Sequence, residues 1–558
     1  MQIPRQPGLG PLRQDVEETL GRLQRDAVLQ RIRDRDHTVW GSDPHQISDR
    51  LGWLDSPDVM PGRTPQIRDV VSAARRDRYT HALLLGMGGS SLTPHLFAVA
   101  FGVAEGHLAL EVLDSTDPAA VLERARRLHP ERTLYIPATK SGGTVETLSF
   151  LKYFYTQAAE VLGRQEAGRH FVTVTDPGST LAELAARLGF RHVFLNDPTI
   201  GGRYSALSCF GLVAAGAVGV DLDRLLRRAQ DAIADPQAGG LLGAVLGAGA
   251  RAGRDKLTLV VSPGVAAFGA WAEQLIAEST GKDGKGILPV DGEPLLAPPA
   301  YEQDRLFVHL RLAGDDRQDA SVEALARAGH PVLRIDLENL YDLGAQFVVW
   351  ELATAVAGHL LQINPFDQPN VEAAKRVARQ MMQTYRERGM LPGLEPVFRA
   401  GPLAVYGEAP AGSLRGALDD FLAHGRPGRS YVALQAYVPP EPATDRALAT
   451  LRRALLERTR LATTVGYGPR FLHSTGQLHK GDAGHGLFLQ LVWDPPEDAA
   501  IPEEPGDAYS TVTFGVLEAA QALGDRQALL AAGRRVLRVQ LGPDVPAGIE
   551  HLRRAIEG

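Results

Sequence analysis

The residues that could do chemistry sit in three glycine-bearing turns and at one helix end. Thr139-Lys140-Ser141-Gly142-Gly143-Thr144 packs three hydroxyls and a lysine around two glycines, directly before the helical stretch VETLSFLKYF. Hydroxyl donors, available backbone N–H groups and one positive charge at a helix start are what a phosphate dianion requires. The plainer role for Ser141 and Thr144 is to cap that helix. A second turn, Gly86-Met87-Gly88-Gly89-Ser90-Ser91, also joins an apolar run to a helical stretch. Position 91 is Ser where a dinucleotide fingerprint needs its third glycine, Asp114 comes later than the usual ribose acid, and no GxxxxGK[ST] motif occurs. Two such loops indicate a phosphate monoester, and a sugar phosphate is the simplest ligand. Asn196-Asp-Pro-Thr-Ile-Gly201-Gly202-Arg203 places an arginine after two glycines, where it either reaches an oxyanion or sits at the surface of a turn. Glu278 lies four residues after Gln274, on the same helix face, just before Gly281-Lys282-Asp-Gly-Lys285-Gly286. A carboxylate there can act as a general base, or remain a solvated helix-end acid.

Around these residues, HALLLG, LALEVLDS, TLYIPA, FVTVTD and HVFLND read as strands, with helices at 118–128, 144–160 and 179–189 between them. Strand–helix alternation predicts βαβ units and a parallel sheet, whose ligands bind at the carboxyl ends of the strands. A second series runs from KLTLVVS through a helix at 266–280, LFVHLRL, PVLRIDL and a long helix from Leu343 to Leu361. A third runs from YVALQAYV through a helix at 442–459, LFLQLVW, a helix near 513–523 and RVLRVQL. The fold class expected is α/β, with two doubly wound parallel-sheet domains and a C-terminal α/β domain. The boundaries expected are a helical segment over 1–60, a first domain over 61–235 and a second over 236–390, then a linker over 391–430 and a third domain over 431–558. Three blocks of comparable size allow an old duplication. Leu12 to Arg33 is expected to form one surface helix, and the Pro/Gly-rich stretches at 288–300 and 391–412 to be connections.

With 558 residues, 44% hydrophobic and 22% charged, the chain is neither disordered nor fibrous. Its formal charge of −7 and the lack of a basic run argue against nucleic acid and anionic membrane surfaces as partners. The one cysteine, Cys209, excludes an intrachain disulfide framework and is expected in the core. The opening residues lack an apolar signal-peptide core, and the apolar run from Cys209 to Val220 is too short for a bilayer span of about 20 residues. A cytoplasmic location is expected. Of the 59 basic residues only seven are lysines, and Lys140, Lys282, Lys285, Lys375 and Lys480 fall in ATKSGGT, TGKDGKG, NVEAAK and QLHKG. Their concentration in motif-like segments suggests that lysine marks where an anion binds. His473, His479 and His485, six apart and without cysteines, fit no metal spacing, so no metal is expected.

GMGGSS, ATKSGGTVET, NDPTIGGRYS, AEQLIAESTGKDGKG and INPFDQPNVEAAK, in that order, resemble the successive signature segments of the glucose-6-phosphate isomerase family, built on sugar-isomerase (SIS) domains. GYGPRFLHSTGQLHKG is further similar to the isomerase half of bifunctional transaldolase/glucose-6-phosphate isomerases. The resemblance implies aldose–ketose isomerisation through a cis-enediol without metal or organic cofactor. It implies that Gly89, Ser90, Thr139, Ser141 and Thr144 hold the phosphate, with Lys140 contributing through its loop. It also implies Glu278 as the proton shuttle, Gln274 on substrate, Arg203 on the enediolate charge and Lys375 in ring opening. The family's ring-opening histidine stands in an H-x-x-x-Q setting before the FDQ segment. His309, His330 and His359 are the histidines there, none in that setting, and the match is His473-Ser-Thr-Gly-Gln477 about 100 residues later, with His479 and His485 as weaker candidates. Two alternatives are a combined phosphoglucose/phosphomannose isomerase and a non-catalytic SIS-type sugar-phosphate sensor. Transaldolase activity is not expected, since its (β/α)₈ barrel needs about 250 residues and far fewer precede the first strand. The sequence leaves homodimer and monomer both open.

Overall fold

The computed structural model describes residues 8–408 and 412–558, apart from the side chains of residues 372–375. Its first sheet comprises β1 (His81–Gly86), β2 (Ala109–Leu113), β3 (Thr133–Ala138), β4 (Val172–Thr175) and β5 (His192–Leu195), all parallel, in the order β2-β1-β3-β4-β5. The second comprises β6 (Lys256–Val261), β7 (Leu288–Val290), β8 (Arg305–Leu312) and β9 (Val332–Leu337), also parallel, in the order β7-β6-β8-β9. The third contains β10 (Phe398–Ala400), β11 (Leu403–Tyr406), β12 (Tyr431–Tyr437), β13 (Ala462–Tyr467) and β14 (Gly486–Val492). A small ribbon of β15 (Ala500–Ile501) and β16 (Val512–Thr513) precedes its last strand, β17 (Arg535–Gln540). That sheet is ordered β10-β11-β17-β14-β12-β13, parallel from β17 to β13 and antiparallel at the β10 and β11 edge.

Counted within each unit, the parallel part of all three sheets contains the strand order second, first, third, fourth, which a fifth strand extends in the first sheet. The central strands show why the fold is doubly wound. In β1, Ala82 and Leu84 enter one core and Leu83 and Leu85 another; in β12, Val432, Leu434 and Ala436 face one core and Tyr431 and Ala433 the opposite one. Near-continuous apolar strands of this kind must be covered on both faces.

Three expectations are corrected. The stretch from Leu12 to Arg33 is two helices, Arg13–Arg25 and Val28–Arg33, broken at Ala27, whose φ of 48° is left-handed. Nor is it a surface element: Val16, Leu23, Val28 and Ile32 are buried in the core shared by the first two sheets. The expected connections at 288–300 and 391–412 contain β7, and β10 with β11, and the helix Leu414–Ala423 follows within the stretch expected as a linker. Strands of only three or four residues, set in segments punctuated by Pro and Gly, carry too little apolar alternation to register as strands.

The third sheet packs on both others. Phe514 and Leu517 join Phe150, Phe154 and Tyr135 in one shared core, and Tyr431, Leu478 and Phe488 join Ala277, Leu288 and Val290 in another. Beside the latter lies a fully buried ion pair. Arg305 Nη1 donates to Glu293 Oε2 at 2.7 Å, and Glu293 Oε1 accepts from the backbone N–H and hydroxyl of Thr463 at 2.8 and 2.9 Å. Removing one partner leaves an uncompensated charge in a medium of low polarisability. Glu293→Ala is expected to cost about 3–5 kcal/mol, read as a lowered urea midpoint.

Candidate active site

Three segments, one from each domain, meet over Gly88 and Gly89. Gly88 has φ +55°, and a Cβ there would lie 2.9 Å from Gln274 Nε2 and 3.0 Å from the carbonyl oxygen of His473. A Cβ on Gly89 would lie 1.8 Å from the carbonyl oxygen of Gly202, in the loop that carries Arg203. The glycines of the first turn therefore admit neighbouring backbone, which is their reason for being glycine at these two positions.

On the helix Phe268–Thr280, Gln274 Nε2 donates to Glu278 Oε2 at 3.1 Å and to the His473 carbonyl at 2.9 Å. The four-residue spacing read from the sequence does put both side chains on one face. Arg203, 4% exposed, donates four hydrogen bonds, from Nε to Ser279 Oγ (2.7 Å), Nη1 to Gln368 Oε1 (2.9 Å) and Nη2 to the carbonyls of Pro365 (2.8 Å) and Asp367 (3.0 Å), and its Nη1 forms an ion pair with Glu278 Oε1 at 3.2 Å, five contacts in all. It is a buried arginine in the FDQ segment's grip, and the surface-turn reading does not apply.

His473 ends a 3₁₀ turn, Arg470–His473, in the loop after β13. Its Nε2 lies 2.9 Å from Glu146 Oε1, in the first turn of the helix Val145–Leu162. Burial alone would push the Glu146 carboxyl up, but the charge of His473 and hydrogen bonds from His473, its own backbone N–H and Gln521 hold it below the usual carboxylate range. Arg470 clamps the turn to the first domain with a bidentate pair to buried Asp114, Nε at 2.7 Å and Nη2 at 3.0 Å. Gln477 completes the seating, donating to the Gly281 carbonyl (2.9 Å) and Asn370 Oδ1 (2.6 Å) and accepting from Asn370 N–H (2.9 Å).

Ser141, Gly143 and Thr144 share a cavity of about 330 Å³ with Glu146, His473, Lys480 and Gln521, walled on its apolar side by Val371, Ala378 and Met382 of the helix Val371–Arg388. Thr139 Oγ1 lies 2.7 Å from Thr144 Oγ1, and Ser90 is buried in the first turn of the helix Gly89–Phe101. Thr144 stands at the N-cap position without capping, so its hydroxyl is not spent on the helix. Lys140 departs from expectation: its ammonium pairs with Asp176 and donates to the Pro198 carbonyl at 2.7 Å, so its charge is committed to a neighbouring turn. The side chain of Lys375 lies outside the described residues.

The other lysines of the motif segments are partnered too. Lys282 is bound to Asp367 Oδ1 (2.6 Å) and two carbonyls, and burial, then Arg203, brings its ammonium down to about 8. Lys285 holds the Leu361 carbonyl at 2.8 Å, and Lys480 pairs with Asp525 at 2.6 Å. These lysines knit segments together, and Lys480 among them also lines the cavity of the hydroxyl loop. The weaker histidine candidates are placed elsewhere. His479 is buried among Tyr431, Phe471 and Phe488 and driven well below its ordinary range by burial, and His485 lines a separate cavity with Lys256 and Tyr431. His309 lies within β8, His330 packs on Phe307 and His359 meets the Val39 carbonyl at 2.7 Å. Cys209 is a buried core residue whose thiol is pushed up by burial. Glu146, Gln521 and the Asp114–Arg470 pair were not legible as site residues. Glu146 passes for an ordinary first-turn acid, and the other contacts join residues more than 350 positions apart.

The phosphoglucose isomerase family model matches residues 71–234. A glucose-6-phosphate isomerase of Rubrobacter xylanophilus is 30% identical over 408 residues, covering 61% of this chain and 94% of that protein. One from Thermus thermophilus is 30% identical over 383 residues, covering 60% and 90%. The chain belongs to the glucose-6-phosphate isomerase family. Among solved structures, a hypothetical protein of Thermus thermophilus superposes with a TM-score of 0.56 at 27% identity, covering 66% of this chain and 98% of that one. A glucose-6-phosphate isomerase of Chlamydia trachomatis shares the fold with a TM-score of 0.56 at 20% identity, covering 67% and 86%. The isomerase relatives account for about three fifths of the chain.

The meeting over the two glycines gives a prediction. Gly89→Ala must push the Gly202–Arg203 loop outward by more than an ångström, and misplacement of that size costs about 100-fold. The expected result is a loss of that order in isomerase kcat/KM, with the far-ultraviolet circular dichroism spectrum retained.

Proposed function

We propose that the chain interconverts glucose 6-phosphate and fructose 6-phosphate through an enediol formed by Glu278, with Arg203 beside the developing negative charge. One observation carries the assignment of residues. Glu278 touches Arg203 and shares Gln274 with the main chain of His473, whose ring lies in the cavity that the hydroxyl loop also lines. Base, cation, ring-opening group and phosphate loop thus adjoin one another.

The phosphate is held by Ser90, Thr139, Ser141 and Thr144, with Gly89 at the neighbouring helix start and the loop backbone of Lys140. The start of the helix Val145–Leu162 adds favourable potential for the dianion. His473, aimed by Glu146, moves the proton that opens and closes the sugar ring. Glu278 takes the proton from C2 and returns it to C1. As Glu278 becomes protonated its charge passes to the enediolate oxygen, so Arg203 faces one negative charge before and after the transfer. Its 3.2 Å contact to Glu278 is the longest of its five and the easiest to exchange for that oxygen. Lys375 keeps its ring-opening role in this proposal on the resemblance alone, and Gln274 acts by joining Glu278 to the His473 turn.

Neither the phosphomannose nor the sensor alternative is favoured by the relatives, which are isomerases of glucose 6-phosphate by name. A cytoplasmic site of action belongs to the same reading. Among the described residues no helix is long and apolar enough to cross a membrane.

Glu278→Gln keeps the shape and hydrogen bonds of the side chain and removes the base. Isomerisation is expected to fall by about 10²–10⁴-fold, while calorimetric binding of fructose 6-phosphate persists. Near-wild-type turnover would remove Glu278 from the proposal. Because His473 reaches Glu146 within one chain, specific activity is expected to stay constant on dilution through the range in which light scattering reports only monomer.

A further inference from the structure

The dyad of Glu146 and His473 has a third member supplied by the C-terminal domain. Gln521 lies on the helix Phe514–Ala531, 4% exposed, and its Nε2 donates to Glu146 Oε1 at 2.6 Å. That is the same oxygen that lies 2.9 Å from His473 Nε2. The other end of the amide is fixed as well, because Thr116 Oγ1 donates to Gln521 Oε1 at 3.1 Å, and Thr116 is fully buried in the turn after β2. An ionised carboxylate only accepts, so the NH₂ group must face Glu146, and a flipped amide would set its oxygen against the carboxylate oxygen; the Thr116 hydroxyl then holds the amide oxygen in place. Glu146 Oε1 is therefore shared between a fixed neutral donor and the imidazole.

We propose that Gln521 is a positioning residue for the isomerase reaction, holding Glu146 so that the carboxylate aims His473 and sets the pH range in which the imidazole exchanges its proton. This rests on the proposed role of His473 in ring opening. A hydrogen bond from Gln521 stabilises the carboxylate's charge and so competes with the imidazolium for it. Removing Gln521 leaves that charge to His473 alone, which favours the protonated ring and raises the pH at which His473 loses its proton. Protonation of Glu146 itself moves up too, since the bond to Gln521 had favoured the charged form. The other charged and titratable groups near the pair are Tyr437, within the field of Glu146, Lys480, which lines the cavity paired to Asp525, Arg379, which lines the same cavity from the helix Val371–Arg388, and Asp114, paired to Arg470. Gln521→Leu alters none of these pairs directly.

The experiment compares wild type, Gln521→Leu and Thr116→Val in the full chain. A hydrogen bond to a charged group is worth about 10-fold or somewhat more, so Gln521→Leu is expected to lower kcat at least about 10-fold with KM changed less than about 3-fold. The limb of the pH profile governed by His473 and the NMR titration midpoint of its imidazole should both move up by about one pH unit. Thr116→Val, which removes the hold on the amide oxygen but keeps the amide, should shift both in the same direction by less, and gives the test should the leucine variant not fold. A loss of activity without any movement of the His473 midpoint would make Gln521 merely structural and overturn the inference, as would an unchanged kcat. The NMR titration needs no turnover. A midpoint that moves in a protein without isomerase activity would sink the functional reading and leave this coupling standing.

Discussion

Everything at this site depends on three backbones being allowed to touch. At Gly88 and Gly89 the first domain offers no side chain, and into that space come the Gln274 amide, the His473 carbonyl and the Gly202 carbonyl. Each of these carries a chemically active neighbour: Glu278 four residues along the helix, the His473 ring itself and Arg203. Positions follow from the contact, because the reacting groups are short or buried and cannot swing far to compensate for a displaced main chain. The same economy recurs where Gly281 meets Leu478 and Gly481, at which a Cβ would lie 2.3–2.4 Å from backbone atoms.

The charges obey a second constraint. A cation taken out of water must find acceptors, and here it finds them in the segments that need fastening. Arg203 and Lys282 together collect the carbonyls of Asn364, Pro365 and Asp367, so the FDQ segment is held down by the cation that flanks the base. Arg470 does the same for the His473 turn through Asp114. Positive charge is thus both structural glue and electrostatic environment, and in the Thr139–Thr144 turn it is spent on a neighbour, since Lys140 serves Asp176.

How much of this could be read from the sequence varied with range. Strand–helix alternation predicted the first sheet, and the i, i+4 spacing of Gln274 and Glu278 predicted a shared face, because both are local consequences of helix and strand geometry. The glycine loops were legible for the same reason, though which backbone they admit was not. The partners of the lysines were not legible: Lys140, Lys282, Lys285 and Lys480 each hold a carboxylate or a carbonyl of another segment, which composition cannot show. Gln521 was invisible, since nothing in a helical QALGDRQ stretch announces a carboxylate 375 residues away. The displaced HSTGQ segment was legible as a motif, and the structure adds why its glutamine is there: Gln477 pins the turn to Gly281 and Asn370.

The shared strand order of the three sheets explains how a histidine so late in the chain can stand beside a glutamate from the second domain. A parallel unit exposes its loops at the carboxyl edge, and a helix following a strand returns to the amino edge. The first unit uses its carboxyl edge for the loops after β1, β3 and β5. The third uses the same edge for the loop after β13, which carries His473. The second contributes from the far end of the helix after β6, where Glu278 sits. Three copies of one topology therefore place different parts against a common point, and each needs the other two. Glu146 has no imidazole to meet without the third unit, and the His473 turn has no Gln274 amide joining it to Glu278 without the second. A chain organised in this way assembles its candidate site by docking the three sheets' units on one another, so the buried contacts between them, from Glu293–Thr463 to Asp114–Arg470, hold that site together as much as they stabilise the fold.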